Sequence, residues 1–188
     1  MRSPGTEPPT LRGAGRMGRR AFARDGRHAA QRVVRRGGSQ LARLERTRAG
    51  QAMLVVGIYV LMPLLFDPDL AGDLDARFEL RILDPHGGDP EVASVVVREG
   101  KCRIGLGPAP PARVSVSAGA GDLVRMASGE IGWPQLVSAG RLVLWGDPYL
   151  ALRFPMLFGM PAGPGAPALL KALPSRRDLR GLTLTPWR

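Results

Sequence analysis

The most constraining feature of the chain is an apolar strand followed at once by an apolar helix, over residues 141–158. A strand with one face in water alternates apolar and polar residues, but Leu142–Trp145 is apolar throughout, which predicts apolar groups on both faces. Asp147 is a suitable N-cap and Pro148 suits the first turn of the helix that follows. That helix is predicted to run to Phe158, and it offers more apolar surface than one small sheet covers. The excess indicates room for a hydrophobic guest.

Four further strands are predicted upstream, because short apolar–polar alternations are separated by turn residues. They are Ala76–Leu83, Val92–Arg98, Lys101–Leu106 and Ala112–Ala118. The turn at Glu99–Gly100 is typical of a compact hairpin. Short connections predict an antiparallel meander with one face in water and one face covered. In the third strand, Cys102, Ile104 and Leu106 are expected to face inward.

Two short helices, Gly121–Ser128 and Trp133–Ser138, are predicted between the fourth strand and the final strand. The fold class is therefore α+β, with about five strands in a mainly antiparallel sheet. The helices are expected on one face of that sheet.

The charge of the chain lies at its ends. The formal net charge is +11, of which residues 1–50 carry +10, residues 51–158 carry −3 and residues 159–188 carry +4. Three segments are therefore predicted: a basic, largely disordered arm over 1–50, a folded domain over 51–158, and a linker with a basic tail over 159–188. Within the arm, residues 19–48 are expected to form a helix broken at Gly26 and at Gly37–Gly38.

The basic arm has more than one interpretation. Arginines near an anionic bilayer attract it, which favours a transient membrane contact. Nucleic acid is the less favoured partner, because few aromatic residues are interleaved for base stacking. A solvated tail, or a misassigned start with Met17 as the true first residue, explains the same composition.

The longest apolar run, Ala52–Phe66, is expected to be a helix. Its fifteen residues would reach about 22 Å, which is less than the roughly 30 Å hydrocarbon core of a bilayer. A buried helix is favoured over a helix on a membrane surface, and both are favoured over a spanning helix. The chain is expected to be cytoplasmic, or peripheral at a membrane.

No motif for catalysis, metal or cofactor stands out. The chain has one cysteine, Cys102, which excludes an intrachain disulfide and a cysteine-cluster metal site. His28 and His86 have no candidate nucleophile or ligand beside them in the sequence. The acidic run from Asp67 to Asp75 does not complete the twelve-residue pattern of a calcium loop, because the final glutamate is missing. We expect no metal, no cofactor and no catalytic residue.

Several segments in order resemble the sterol carrier protein type-2 domain family. Ala112–Ala118 followed by Asp122-Leu123 resembles the family's step from a strand to an acidic residue that opens a helix. The most specific segment, Ala139–Asp147, resembles the pattern small-Gly-basic-apolar-x-apolar-x-Gly-Asp, and an apolar helix ending near Leu157-Phe158 follows it. The resemblance covers about residues 51–158.

The resemblance implies a non-catalytic domain that carries a lipid (fatty acyl, sterol-like or isoprenoid) in an apolar tunnel roofed by the last helix. A narrower version is an accessory factor that presents quinone precursors to biosynthetic enzymes. The alternative is a protein-binding adaptor with no lipid guest. The predicted lining is apolar or aromatic throughout: Val56, Tyr59, Val60, Met126, Leu136, Leu144, Leu152, Phe154, Met156 and Phe158.

Overall fold

The structure is a computed structural model that describes residues 14–108 and 110–160. The segments 1–13 and 161–188 lie outside the described residues, and with them most of the predicted linker and tail. The helices are α1 (Ala14–Ala42), α2 (Arg48–Leu65), α3 (Pro68–Ala71), α4 (Ala120–Ser128), α5 (Trp133–Ser138) and α6 (Pro148–Leu157), and a 3₁₀ turn (Arg43–Arg46) joins the first two. The strands are β1 (Ala76–Leu83), β2 (Glu91–Arg98), β3 (Lys101–Leu106), β4 (Val114–Gly119) and β5 (Leu142–Gly146).

The five strands form one mixed sheet in the order β3-β2-β1-β4-β5. The first three strands form the predicted antiparallel meander, but the expectation that β4 continues it is wrong. β4 crosses back and pairs in parallel with β1, so that Val114 lies opposite Phe78 and Val116 opposite Leu80. Alternation shows which face a residue takes, but it does not show which strand lies beside it. This register places the apolar residues of both strands on the same covered face.

The covered face of the sheet holds the core, and the other face is open to solvent. Phe78, Leu80 and Ile82 of β1 are fully buried, as the alternation predicts. Leu106 is 77% exposed, so the expectation that it faces inward is wrong. It lies at the last position of β3, which is an edge strand.

The apolar strand β5 has apolar groups on both faces, as predicted, but only one face is covered. Leu142 is buried, whereas Val143 and Trp145 on the opposite face are 50% and 47% exposed. β5 forms the other edge of the sheet.

Helix α6 begins as predicted, and aromatic side chains fill the space between it and the sheet. The Asp147 carboxylate accepts hydrogen bonds from the backbone N–H groups of Tyr149 and Leu150, which satisfies the first turn. The Phe154 ring lies with its centroid 5.0 Å from that of Phe78 and 5.1 Å from that of Phe158. All three rings are fully buried, so the interior below α6 is occupied by aromatic side chains.

The N-terminal arm departs most from its prediction. α1 continues without a break from Ala14 to Ala42, and the predicted interruptions at Gly26 and Gly37–Gly38 are wrong. A Cβ on Gly38 would lie 2.3 Å from the Cβ of Ser128, so this glycine lets α1 approach α4 closely. The expectation of a largely disordered arm is therefore corrected for residues 14–50, which form helices and turns.

A carboxylate from the 3₁₀ turn attaches the arm to the N-terminus of α4. Glu45 Oε2 accepts a hydrogen bond of 2.8 Å from the backbone N–H of Gly121. A Cβ at Gly121 would lie 2.2 Å from the same oxygen, so a larger residue there would displace the Glu45 carboxylate. The backbone N–H groups in the first turn of a helix favour a negative charge beside them. Glu45 therefore caps α4 from a distant part of the chain.

Replacing Glu45 with alanine should lower the free energy of unfolding by about 1–2 kcal/mol, because the Gly121 N–H loses its acceptor. Glu45→Gln keeps an acceptor oxygen and should lose less than Glu45→Ala. The measurement is urea denaturation followed by circular dichroism. Glu130→Ala is the matched control, because the Glu130 carboxylate lies 3.9 Å from Arg125 and is partly exposed. A loss from Glu130→Ala as large as that from Glu45→Ala would contradict the cap.

Candidate functional site

An apolar cavity lies between α1, α2 and α4. Its volume is about 160 Å³. Fifteen residues line it, all of them apolar or glycine: Val34, Leu41, Leu44, Met53, Leu54, Gly57, Ile58, Leu61, Met62, Leu65, Leu80, Leu123, Val124, Ala127 and Met160. We call this space the α1–α2 cavity.

The cavity lies where α1, α2 and α4 meet, and a glycine of α2 lies in its lining. α2 is apolar on nearly every side, which suits a helix that has neighbours on more than one face. Gly57 lies at the middle of α2, and a Cβ added there would meet no atom within 4 Å. The space beside Gly57 is therefore empty volume that a larger side chain would fill.

Two residues of the cavity lining are exposed at the protein surface. Most of its lining is buried or half-buried, but Leu44 is 36% exposed and Met53 is 66% exposed. Both residues lie near the connection between α1 and α2. We call the opening beside Leu44 and Met53 the mouth of the cavity.

The chemistry of the cavity is restricted to burial of apolar groups. None of its lining side chains has a polar group to donate or accept a hydrogen bond. Apolar cavities of roughly 150 Å³ hold a benzene-sized guest, whereas pockets for whole small molecules are roughly 300–1,000 Å³. The cavity as it stands therefore accommodates part of a lipid chain. The rest of such a guest has to leave through the mouth or move the helices apart.

None of the ten predicted lining residues contacts this cavity. Met126, Leu136, Phe154 and Phe158 are fully buried in the core. Leu144 and Leu152 are partly buried against the core, and Met156 is half-buried. Whether these residues contact a guest stays a prediction. The signal missed in the sequence is the spacing of Ala30, Val34 and Leu41 along α1, which the many arginines conceal.

The other three predicted residues line an open groove on the opposite side of α2. Val56 and Val60 are 61% and 59% exposed, and Tyr59 lies between them, partly buried. The Tyr59 hydroxyl donates a hydrogen bond of 3.3 Å to Glu91 Oε1. Burial, with the adjacent Glu91 carboxylate, raises the pKa of Tyr59 to about 12. The phenol therefore stays protonated and already has a protein acceptor.

The groups considered for chemistry in the sequence do not converge. His86 Nε2 lies 3.1 Å from the backbone oxygen of Glu45, and His28 lies on an exposed part of α1. Among residues 14–108 and 110–160, no three histidine, cysteine or acidic side chains are placed to hold a metal. Burial raises the pKa of the Cys102 thiol to about 12, so it is protonated and a weak nucleophile at neutral pH.

The sheet and the helices packed on it define an α+β domain, with an apolar cavity between α1, α2 and α4. A family profile described as the SCP-2 sterol transfer family matches residues 67–159. This part of the chain belongs to that family. Ten of the fifteen lining residues precede the matched region, so the cavity is built largely by α1 and α2.

The two segments that carry the family resemblance contact each other in the structure. Arg141 Nε donates a hydrogen bond of 3.0 Å to Asp122 Oδ2, and Arg141 Nη2 contacts Asp122 Oδ1. Arg125 Nη1 donates to the same carboxylate at 3.3 Å. The acidic residue that opens α4 therefore pairs with the basic residue that precedes β5.

Comparison with solved structures finds partial similarities. The stereoselective inverting sec-alkylsulfatase Pisa1 from Pseudomonas sp. is 22% identical with a TM-score of 0.47; the match covers 54% of this chain and 16% of that enzyme. The palmitated SCP2L2 from Aedes aegypti is 19% identical with a TM-score of 0.42, covering 56% of this chain and 90% of that one. The UbiJ-SCP2 ubiquinone synthesis protein is 19% identical with a TM-score of 0.44, covering 57% of this chain and 95% of that one. The chain thus spans about one sixth of the sulfatase. A comparison with curated proteins finds no match.

An ion pair holds α1 against the matched region. Arg27 of α1 pairs with Asp67, whose carboxylate also accepts from the backbone N–H of Asp69. Burial alone would raise the pKa of Asp67, but the hydrogen bond and charge of Arg27, together with backbone hydrogen bonds from Asp69 and Leu70, outweigh it and lower the pKa. The folded state therefore favours the ionised carboxylate.

This ion pair should make stability depend on pH with a definite sign. Because the pKa of Asp67 is lower in the folded state, its contribution is complete above the ordinary aspartate value of about 3.9. It is lost as the pH falls through the folded-state pKa. Asp67→Asn keeps a capping side chain, and it should cost on the order of 1 kcal/mol at pH 7. The difference from the unchanged protein should shrink at low pH, as measured by urea denaturation across pH.

The control for this prediction is Asp73→Asn, an exposed position in the same acidic segment, which should have little effect. Arg27→Gln should reproduce the loss caused by Asp67→Asn, and the double variant should add little to either. Additive losses from Arg27→Gln and Asp67→Asn would contradict the pairing.

Proposed function

We propose that the protein binds and carries a lipid without catalysis, and that the alkyl or isoprenoid chain of the lipid enters the α1–α2 cavity. The observation that carries the proposal is a cavity lined by fifteen apolar residues, with a mouth at Leu44 and Met53. Membership of residues 67–159 in a sterol transfer family supports the same class of guest.

The affinity in this proposal comes from removing hydrocarbon from water. Each methylene group transferred into the cavity contributes about 0.8 kcal/mol. Several such groups fit within the cavity, and ordering the chain offsets part of their gain. Since no polar side chain faces the cavity, the guest is selected by the shape and length of its apolar part.

The location differs from the tunnel under the last helix that the sequence implies. Phe78, Phe154 and Phe158 occupy that interior. A guest beneath α6 would have to displace these rings, whereas a guest beside Gly57 enters space that is already open. We therefore place the guest at the α1–α2 cavity.

The first experiment identifies the guest. The purified full-length protein is examined by native mass spectrometry and, after delipidation, by displacement of a fluorescent fatty acid. We expect copurified lipid, or saturable binding of the probe. A folded protein that retains no lipid and binds neither fatty acid nor isoprenoid alcohol would contradict the proposal and favour the adaptor. Preference for an isoprenoid would favour the quinone-precursor version.

The second experiment fills the cavity. Gly57→Leu places a side chain in the open space, and it should lower affinity for the fatty acid probe at least tenfold, because about two or more methylene positions are blocked. Stability should hold or rise, since leucine is favoured over glycine inside a helix.

Gly26→Leu is the matched control, because Gly26 lies in α1 and a Cβ there also meets no atom within 4 Å. It should gain the same helix propensity and leave probe binding unchanged. Equal affinity in the Gly57→Leu and Gly26→Leu variants would place the guest elsewhere.

A further inference from the structure

One face of α2 exposes a continuous row of apolar side chains. Met53, Val56, Val60 and Leu64 are each between 51% and 66% exposed. At 3.6 residues per turn they fall within an arc of roughly 80° and extend over about 16 Å. We call this row the α2 stripe. An apolar row of this length on a domain surface indicates a contact site.

α2 as a whole is long and apolar enough to cross a membrane, by length and composition alone, yet 28% of it is buried inside the protein. Its inner face includes Leu54, Met62 and Leu65, which belong to the core. Spanning a bilayer would remove these residues from the domain. The helix therefore suits a position along a surface, with the core on one side and the stripe on the other.

Positive charge lies at the N-terminal end of the stripe. Arg43, Arg46 and Arg48 are exposed, and none of them forms an ion pair with residues in the described part of the chain. The opposite end of α2 leads into Asp67 and Asp69. The helix therefore presents a basic end and an acidic end, and an anionic surface attracts the basic one.

The mouth of the α1–α2 cavity lies at this basic end. Leu44 lies between two of the arginines in the sequence, and Met53 is both the first residue of the stripe and part of the cavity lining. An exposed apolar row, exposed arginines and the opening of an apolar cavity thus occur together.

We propose that the α2 stripe and Arg43, Arg46 and Arg48 form a docking surface for an anionic lipid bilayer, with the mouth of the cavity facing the bilayer. The apolar side chains enter the boundary between head groups and acyl chains, and the guanidinium groups contact lipid phosphates. A chain leaving the bilayer then meets the cavity without crossing water. The docking surface holds even if the guest of the cavity proves different.

A second copy of the chain fits this surface less well. Two copies that paired their stripes around a twofold axis near the mouth would bring six exposed arginines together. A bilayer supplies negative charge and an apolar interior at once. The charge of the surface thus favours lipid over self-association.

The test is cosedimentation of the full-length protein with vesicles. Vesicles of phosphatidylglycerol with phosphatidylcholine should bind the protein, and vesicles of phosphatidylcholine alone should bind it much less. The variant Arg43→Gln/Arg46→Gln/Arg48→Gln should weaken binding to the anionic vesicles by about a hundredfold. The variant Val56→Thr/Val60→Thr should also weaken binding, by about tenfold.

Each variant has a matched control of equal size. Arg98→Gln/Lys101→Gln/Arg103→Gln removes three exposed positive charges from the β2–β3 hairpin and should reduce binding far less. Val137→Thr/Val143→Thr changes two exposed valines elsewhere and should leave binding unchanged.

Three results would overturn the docking surface. They are equal binding to both kinds of vesicle, equal losses from the hairpin control and the triple arginine variant, and a stable dimer in light scattering that Val56→Thr/Val60→Thr dissociates. Probe binding in the absence of vesicles is measured on the same variants. If the Val56→Thr/Val60→Thr variant keeps its affinity for the fatty acid but no longer cosediments with the vesicles, membrane docking and lipid binding use different residues.

Discussion

The close contact of the N-terminal helices with α4 is the interaction on which the rest of the structure depends. Gly38 brings the backbone of α1 against Ser128, and the Glu45 carboxylate caps α4 at Gly121. A Cβ at Gly38 would overlap the Ser128 side chain, and a Cβ at Gly121 would displace the Glu45 carboxylate. With α1 held there, α2 has neighbours on two sides, and the cavity beside Gly57 forms between them. Without it, Leu54, Met62 and Leu65 would lose part of their cover.

This arrangement divides the apolar interior into two parts. The part below α6 is filled by Phe78, Phe154 and Phe158, whose rings contact each other and stabilise the sheet. The part between α1, α2 and α4 keeps a void, because Gly57 and Ala127 contribute little volume there. Protein interiors are close-packed, and a void between well-packed helices loses contact energy. A guest that fills the void regains that energy.

The same helices give the protein its surface character. The sheet contributes a polar outer face with alternating charges, such as Arg77, Glu79 and Arg81. The segment from α1 to α2 contributes exposed arginines and the apolar α2 stripe. The segment that roofs the cavity is thus also the segment with the chemistry to meet a membrane, and it lies outside the matched region of the family. We therefore propose lipid carriage in the α1–α2 cavity and membrane docking at the adjoining α2 stripe.

Much of the local structure of residues 51–158 follows from short-range patterns in the sequence. Alternation, capping and motif order predict the bounds of β1, β3 and α5, the cap of α6 at Asp147 and the family of the domain. The packing of distant segments, in contrast, sets β4 parallel to β1, keeps α1 continuous and leaves the open space beside Gly57. Strand partners and cavities depend on residues far apart in the chain, such as Val34, Gly57 and Val124. A local sequence pattern does not show which of these distant residues pack together or how much space they leave.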